Sequence, residues 1–282
     1  MRIIIGTANF DKDYGFSNHS IKHTKKIKQI LDYSSKKKIN YLDTAYSYID
    51  NKKIKMMITN SKMKIISKFS LKDLNFNKDS NLLYKEFSNL KIDTLLFHNS
   101  KDLTDSKYSG ELLRIVNNFK KDKIIKKIGI SIYEPSELKN ILKIWKPDVV
   151  QLPLNPLNTK FLKFNILKKL KKKNIEIHVR SIFLQGVLLK NFDELPNNLK
   201  KKKLIIKWNK WCDLNKINKL EYILNFIDKQ EIDKVIVGVD NLQNLKDILK
   251  IIKKNKIKKN NLNKNISFKL YKKDGIEDPR KW

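Results

Sequence analysis

Short apolar, β-branched runs recur along the chain, and each is followed by a stretch whose apolar residues fall at helical spacing. Eight such pairs can be counted. The predicted strands are RIIIG (2 to 6), INYLD (39 to 43), KIIS (64 to 67), DTLLF (93 to 97), KKIGI (126 to 130), DVVQL (148 to 152), EIHVR (176 to 180) and KVIVG (234 to 238). Between them, IKQILDY places Ile27, Ile30 and Leu31 on one helical face, and SELKNILKIW does the same with Leu138, Ile141, Leu142 and Trp145. Ser136 or Pro135 opens the second of these helices and Pro147 stops it. Eight β/α units with no break in composition predict an α/β protein, one closed parallel (β/α)8 TIM barrel that spans residues 1–282 as a single domain. An open doubly wound sheet is the alternative, although residues 2–8 lack a G-x-G-x-x-G turn. The longest irregular segment, Leu184 to Lys203, follows the seventh strand, and a tail from Lys256 to Trp282 follows the last helix; both are placed to cover a site.

Charge changes this picture less than its size suggests. The formal net charge is +33, and clustered cations favour nucleic acid through counterion release. Yet only Arg2, Arg114, Arg180 and Arg280 among the 62 basic residues are arginine, the side chain best suited to bidentate phosphate and base contacts. Lysine is spread through the chain, as on a solvated surface, and no nucleic-acid partner is expected; Lys168 to Lys173 and Lys200 to Lys203 are the densest runs. The lone Cys212 has no disulfide partner, and four histidines form no metal pattern. The opening residues lack the apolar core of a signal peptide and no run is long enough to span a bilayer, so a cytoplasmic protein without a membrane partner is expected. Oligomeric state stays open.

In a parallel barrel the chemistry sits where strands end and βα loops begin. The second strand delivers Asp43 and, after a turn, Tyr48; the third ends at Lys68 and the fourth at His98. Each has an ordinary alternative: a helix cap, a surface aromatic, one lysine among many, a loop hydrogen bond. Their arrival at the ends of three successive strands is less ordinary. Lys68 matters most, because the preceding IIS run buries its stem and a buried ammonium needs a carboxylate or hydroxyl partner.

These residues resemble the pattern of the aldo-keto reductases. D-T-A-x-x-Y stands here as Asp43, Thr44, Ala45, Tyr46, Ser47 and Tyr48, followed by Lys68 in IISKFS and His98 in DTLLFHNS. The resemblance covers essentially the whole chain. It implies reduction of an aldehyde or ketone by NADPH, with NADH an option. Tyr48, whose unperturbed pKa would be about 10, is then the proton donor, eased by the Lys68 ammonium. Asp43 would pair Lys68, His98 would orient the carbonyl, and no metal would be needed. It also implies cofactor contacts from Gly6 and Thr7 beside the nicotinamide, from Ser131 and Gln151 to its carboxamide, and from Arg180, Ser181 and Gly238 farther along. The forms GTANFDKDYG, VRSIFLQG and EDPRKW resemble bacterial members tied to cell-surface sugar synthesis, which points to a sugar-derived carbonyl.

Several positions depart from the pattern. Ile132 stands where many members carry asparagine, Arg180 where many have an aromatic, and Asn9 and Asp11 where glutamine and glycine are usual. Asp240 stands in the adenosine-phosphate loop, where an acid opposes a 2′-phosphate. Phe10, Tyr14, Tyr133 and Phe183 are candidate pocket walls. Two other functions fit the same residues, a sugar epimerase or dehydratase that returns its cofactor unchanged and a silent barrel retained as a binding subunit; a third, a nucleic-acid binder, would use clustered lysines instead.

Overall fold

In the computed structural model, which describes residues 1–15, 20–21, 23–74, 92–105, 107–257 and 275–276, all eight predicted strands form. They are β1 (Ile3–Gly6), β2 (Tyr41–Asp43), β3 (Lys64–Phe69), β4 (Ile92–Phe97), β5 (Lys127–Ser131), β6 (Val149–Pro153), β7 (Glu176–Arg180) and β8 (Lys234–Gly238). Each pairs in parallel with the next in chain order, and β1 pairs with β8 through Ile4 opposite Ile236 and Gly6 opposite Gly238. The ring is therefore closed, a (β/α)8 barrel, and the open sheet is excluded. Six of the eight strands shift by one or two residues at one end or both, and the shifts in β3 and β2 are the largest. β3 runs to Phe69 because Ser67, Lys68 and Phe69 pair with Leu95, Leu96 and Phe97, so Lys68 lies inside the strand. β2 is three residues long because its pairing begins only at Tyr41, opposite Lys64, and it ends as predicted at Asp43, before the turn at Tyr46–Tyr48.

The helices follow the predicted periodicity. α1 (Thr24–Lys36) buries Ile27, Ile30 and Leu31, and α2 (Lys52–Asn60) begins where the Asn51 side chain accepts the N–H groups of Lys53 and Ile54. α3 (Ser109–Lys121) follows β4 and packs on β5, and α4 (Pro135–Ile144) follows β5. Pro135 opens α4 at its first turn, where no N–H is needed, and Glu137 reaches back to accept from the N–H groups of Tyr133 and Glu134 at 2.6 and 2.7 Å. α5 (Ile166–Lys172) precedes β7; α6 (Lys203–Leu214) and α7 (Lys219–Asp228) follow it; α8 (Leu242–Ile257) follows β8. No described helix is long and apolar enough to cross a membrane. Most of the connection from β3 to β4, and the closing EDPRKW, lie outside the described residues.

Inside the barrel the side chains stack in layers, as a small closed ring demands. Ile4, Ile66, Leu96, Val149 and Ile236 fill the middle, packed against Tyr41. Gly129 completes this layer by having no side chain, because a Cβ there would lie 2.6 Å from Leu96 and against the Val149 carbonyl. Below it, Glu176 at the start of β7 receives Lys127, Lys234 and the Nε2 of His178, the last at 2.7 Å. Burial lowers Lys234 to about 8, helped by the charge of Lys127, even with the Tyr41 ring 4.7 Å away. His178 is fully buried, and burial, opposed in part by Asp43, lowers it to about 4.

His178 is thus neutral when folded and takes up a proton more readily when unfolded. Its contribution to stability is complete above pH 6.5 and is lost as pH falls toward 4. Between pH 7 and pH 5 this should remove about 2 kcal/mol that a His178→Gln variant does not lose. Urea unfolding of both proteins at the two pH values measures the difference, and parallel losses would refute it.

Candidate active site

Seven of the eight strand ends place a polar side chain at the same mouth (Thr7, Asp43, Lys68, His98, Ser131, Gln151 and Arg180), and two of these side chains form a buried ion pair. Lys68, 1% exposed, sits 2.5 Å from Asp43 Oδ1 and donates a second hydrogen bond to the Thr44 carbonyl at 2.8 Å. Asp43 is buried too, and its other oxygen accepts from Gln151 Nε2 at 2.7 Å. Both carboxylate oxygens are therefore engaged, which offsets the cost of removing the charge from water. Burial pushes the Lys68 ammonium below its ordinary value, while Asp43 pulls the other way. The Lys68 Nζ lies 5.2 Å from the centre of the Tyr48 ring, and the His98 ring meets Tyr48 edge-on at 5.9 Å. Asp43, Tyr48, Lys68 and His98 are thus brought together, from β2, the turn after it, β3 and the end of β4.

The turn that carries Tyr48 is anchored by the loop after β1. Asp11 accepts the backbone N–H groups of Asp50 and Asn51 at 2.8 Å each, and Lys12 donates to the Ser47 carbonyl at 2.6 Å. Asn9 donates to the Val239 carbonyl and to Asp240 Oδ1, at 3.1 and 2.9 Å, and so ties the same loop to the end of β8. The two departures from the usual opening sequence therefore have local structural work. Thr7 adds two hydrogen bonds to the Asp43 carbonyl, from its N–H at 3.0 Å and its hydroxyl at 3.2 Å.

A cavity of about 650 Å³ opens over this end of the barrel. Gly6, Thr7, Asp43, Tyr48, Gln151, Arg180, Ser181 and Gly238 line it, whereas Lys68, His98 and Ser131 are not part of its wall. Ser131 is buried and accepts from Arg180 Nε at 3.4 Å. Arg180 also donates to the Ile132 carbonyl at 3.1 Å and lies flat over Tyr133, 4.0 Å from its centre, so Ile132 contributes its backbone where a side-chain amide was usual. Of the candidate walls, Tyr14 and Phe183 line the cavity, Tyr133 supports Arg180, and Phe10 is fully buried packing. Although 42% of Tyr14 is exposed, protein surrounds its hydroxyl, and burial, reinforced by Tyr48, pushes that phenol up to about 12.

The segment after β7 does form one wall, as its position predicted. Ser181, Leu184 and Gln185 all adopt positive φ before Gly186, an unusual density of left-handed backbone outside glycine. Asn155 holds the bend by donating to the Ser181 carbonyl at 3.0 Å. Lys190, Glu194, Asn244 and Asp247 also line the cavity and were not singled out in the sequence. The helical spacing of Asn244 and Asp247 with Asp240 just upstream was the available signal, since these face the barrel mouth from the first turns of α8.

The sequence profile of the Aldo/keto reductase family matches residues 2–265. No curated protein matches significantly. Among solved structures, an aldo-keto reductase from Bacillus halodurans in its holo form superimposes with TM-score 0.67 at 14% identity, covering 89% of this chain and 86% of its own. The glycerol dehydrogenase of Gluconobacter oxydans gives 0.60 at 16% identity, with 95% of each chain covered. A mutant of Gox0644 in complex with NADPH gives 0.57 at 15% identity, over 89% of this chain and 83% of that one. At these identities the likeness carries the fold.

The buried pair sets a testable stability. Asp43→Asn leaves Lys68 without a counter-charge and should cost about 3 kcal/mol. Adding Lys68→Met to that variant should recover part of the loss, because no buried charge then remains. Denaturant unfolding of the single and double variants decides this; a double variant no more stable than Asp43→Asn would mean the pair does not govern the site.

Proposed function

The chain belongs to the aldo/keto reductase family, an NAD(P)H-dependent oxidoreductase, and we propose that it reduces an aldehyde or ketone to an alcohol with Tyr48 as proton donor. The observation that carries this reading is the convergence of Asp43, Tyr48, Lys68 and His98 beside one cavity. The cavity also suits the cofactor. Gln151 Oε1 is buried with no hydrogen-bond partner, on a side chain whose amide nitrogen is already committed to Asp43, so it offers an acceptor to an amide N–H₂ such as a nicotinamide carboxamide. Gly6 and Thr7, Ser131, Arg180 and Ser181, and Gly238 are the other residues assigned to holding the dinucleotide. When bound, the nicotinamide supplies the hydride.

The protein's part is the proton. Tyr48 donates its phenolic proton to the carbonyl oxygen as charge develops there, and the Lys68 ammonium stabilises the phenolate that remains. Asp43 keeps Lys68 in place and charged against the pull of burial. His98, edge-on to Tyr48 and just behind the cavity wall, is the residue we assign to orienting the same carbonyl oxygen. Arg180, Tyr14 and Phe183 give the mouth a polar and aromatic character that accommodates a hydroxylated substrate, and a sugar-derived carbonyl is the class we assign.

Tyr48→Phe removes the proton and little else. Turnover of a panel of aldehydes and sugar aldehydes, followed by NAD(P)H oxidation, should fall by at least about a hundredfold, the lower range for a lost general acid. Cofactor affinity, followed by fluorescence, should stay unchanged. A Tyr48→Phe protein that retains turnover would sink the assignment of the donor, and a wild-type protein that binds neither dinucleotide would sink the reductase reading.

A further inference from the structure

The catalytic group fixes one end of the cavity, so whatever part of the dinucleotide does not react must lie toward the other. The same cavity reaches the loop after β8 and the first turns of α8, through Gly238, Asp240, Asn244, Asp247 and Ile248. Loops after the last two strands of such barrels are where phosphate groups commonly settle, and the start of a long helix favours them there. The ribose attached to those phosphates then meets the side chains just beyond, and these are acidic.

We infer that this chain takes NADH in preference to NADPH, with Asp240 as the residue that discriminates and Asp247 reinforcing it; the inference rests on the reductase reading above. Asp240 is exposed toward the cavity, and its carboxylate is held by Asn9 Nδ2 at 2.9 Å, while Asn9 is itself fixed on the Val239 carbonyl. Asp247 receives only the neutral amide of Gln243, at 2.8 Å. Among the described residues neither acid has a salt bridge, in a chain with 62 basic residues against 29 acidic ones. Among the described residues two cations line the cavity. Arg180 is held at the catalytic end by Ser131, Ile132 and Tyr133, and Lys190 is paired with Glu194 at 3.0 Å. Among the described residues, no cation on the cavity wall is thus left to neutralise a 2′-phosphate beside Asp240.

The chemistry favours the unphosphorylated ribose twice. A carboxylate accepts hydrogen bonds from the ribose hydroxyls, and the same carboxylate repels a phosphate dianion in their place. Asn9 matters here as a positioning residue, because it aims the carboxylate and cannot cancel its charge. A single like-charge contact at partly exposed dielectric is enough for a tenfold preference.

Fluorescence titration of the wild-type protein with NADH and NADPH, with competition by 5′-AMP and 2′,5′-ADP, tests this without turnover. NADH should bind at least about tenfold tighter, and 5′-AMP should compete better than 2′,5′-ADP. Asp240→Asn should shrink the ratio, Asp240→Arg should reverse it, and Asp247→Asn should shrink it less, all through NADPH affinity. Equal or tighter binding of NADPH to the wild type would overturn the inference and leave the reductase reading standing. So would a ratio that Asp240→Asn and Asp240→Arg fail to move. Binding of neither dinucleotide would remove both.

Discussion

The buried contact between Lys68 and Asp43 is the constraint on which the rest of the site depends. An ammonium with 1% of its residue exposed is tolerable only if a carboxylate meets it, and that carboxylate in turn needs both of its oxygens satisfied. Gln151 meets the second oxygen and Thr7 fastens the backbone behind it, so four strands are drawn toward one point. Catalytic geometry and barrel closure are in this sense the same requirement. The pair contributes less to net stability than its closeness suggests, since desolvation consumes much of the attraction, but it leaves one arrangement far better satisfied than any other.

The same logic runs through the lower half of the barrel with a different outcome. There Glu176 gathers Lys127, Lys234 and the neutral His178 in a polar knot, none of whose members lines the cavity at the mouth. The middle layer of Ile4, Ile66, Leu96, Val149 and Ile236 separates the two polar clusters, so the lower one closes the barrel floor while the upper one borders the cavity. Burial perturbs the ionisation of groups in both clusters, and only access tells them apart. A search by perturbed groups alone would have returned the floor as readily as the mouth.

What could be read in advance follows from this. The strands were legible because parallel strands buried on both sides leave continuous apolar runs, and EIHVR and KVIVG were placed to the residue. β3 was cut short because Lys68 and Phe69 look like the start of a loop until β4 is known to pair with them. The Asp43 to Tyr48 motif was legible because its members lie close in sequence. The far wall was not, since Lys190, Glu194, Asn244 and Asp247 are ordinary polar residues in a polar sequence and gain a role only from the fold. Arg180 was half legible. Its position was clear, but its stacking on Tyr133 and its bond to the Ile132 carbonyl belong to the three-dimensional arrangement.

The distribution of charge then separates two tasks that one cavity must perform. A net charge of +33 sets a positive field around the molecule, and any anionic dinucleotide is drawn toward it from beyond contact range, whether or not it carries a third phosphate. That field is screened within about 8 Å at physiological salt, so it raises encounter without discriminating at contact. On the proposed reading discrimination falls to the groups inside the cavity, where Asp240 and Asp247 set acid against that field on the wall formed by the loop after β8 and the first turns of α8. An acid in so basic a protein need not be neutralised to be kept. Held by a neutral amide from Asn9, it retains its full charge for the ligand, which a lysine partner would have spent.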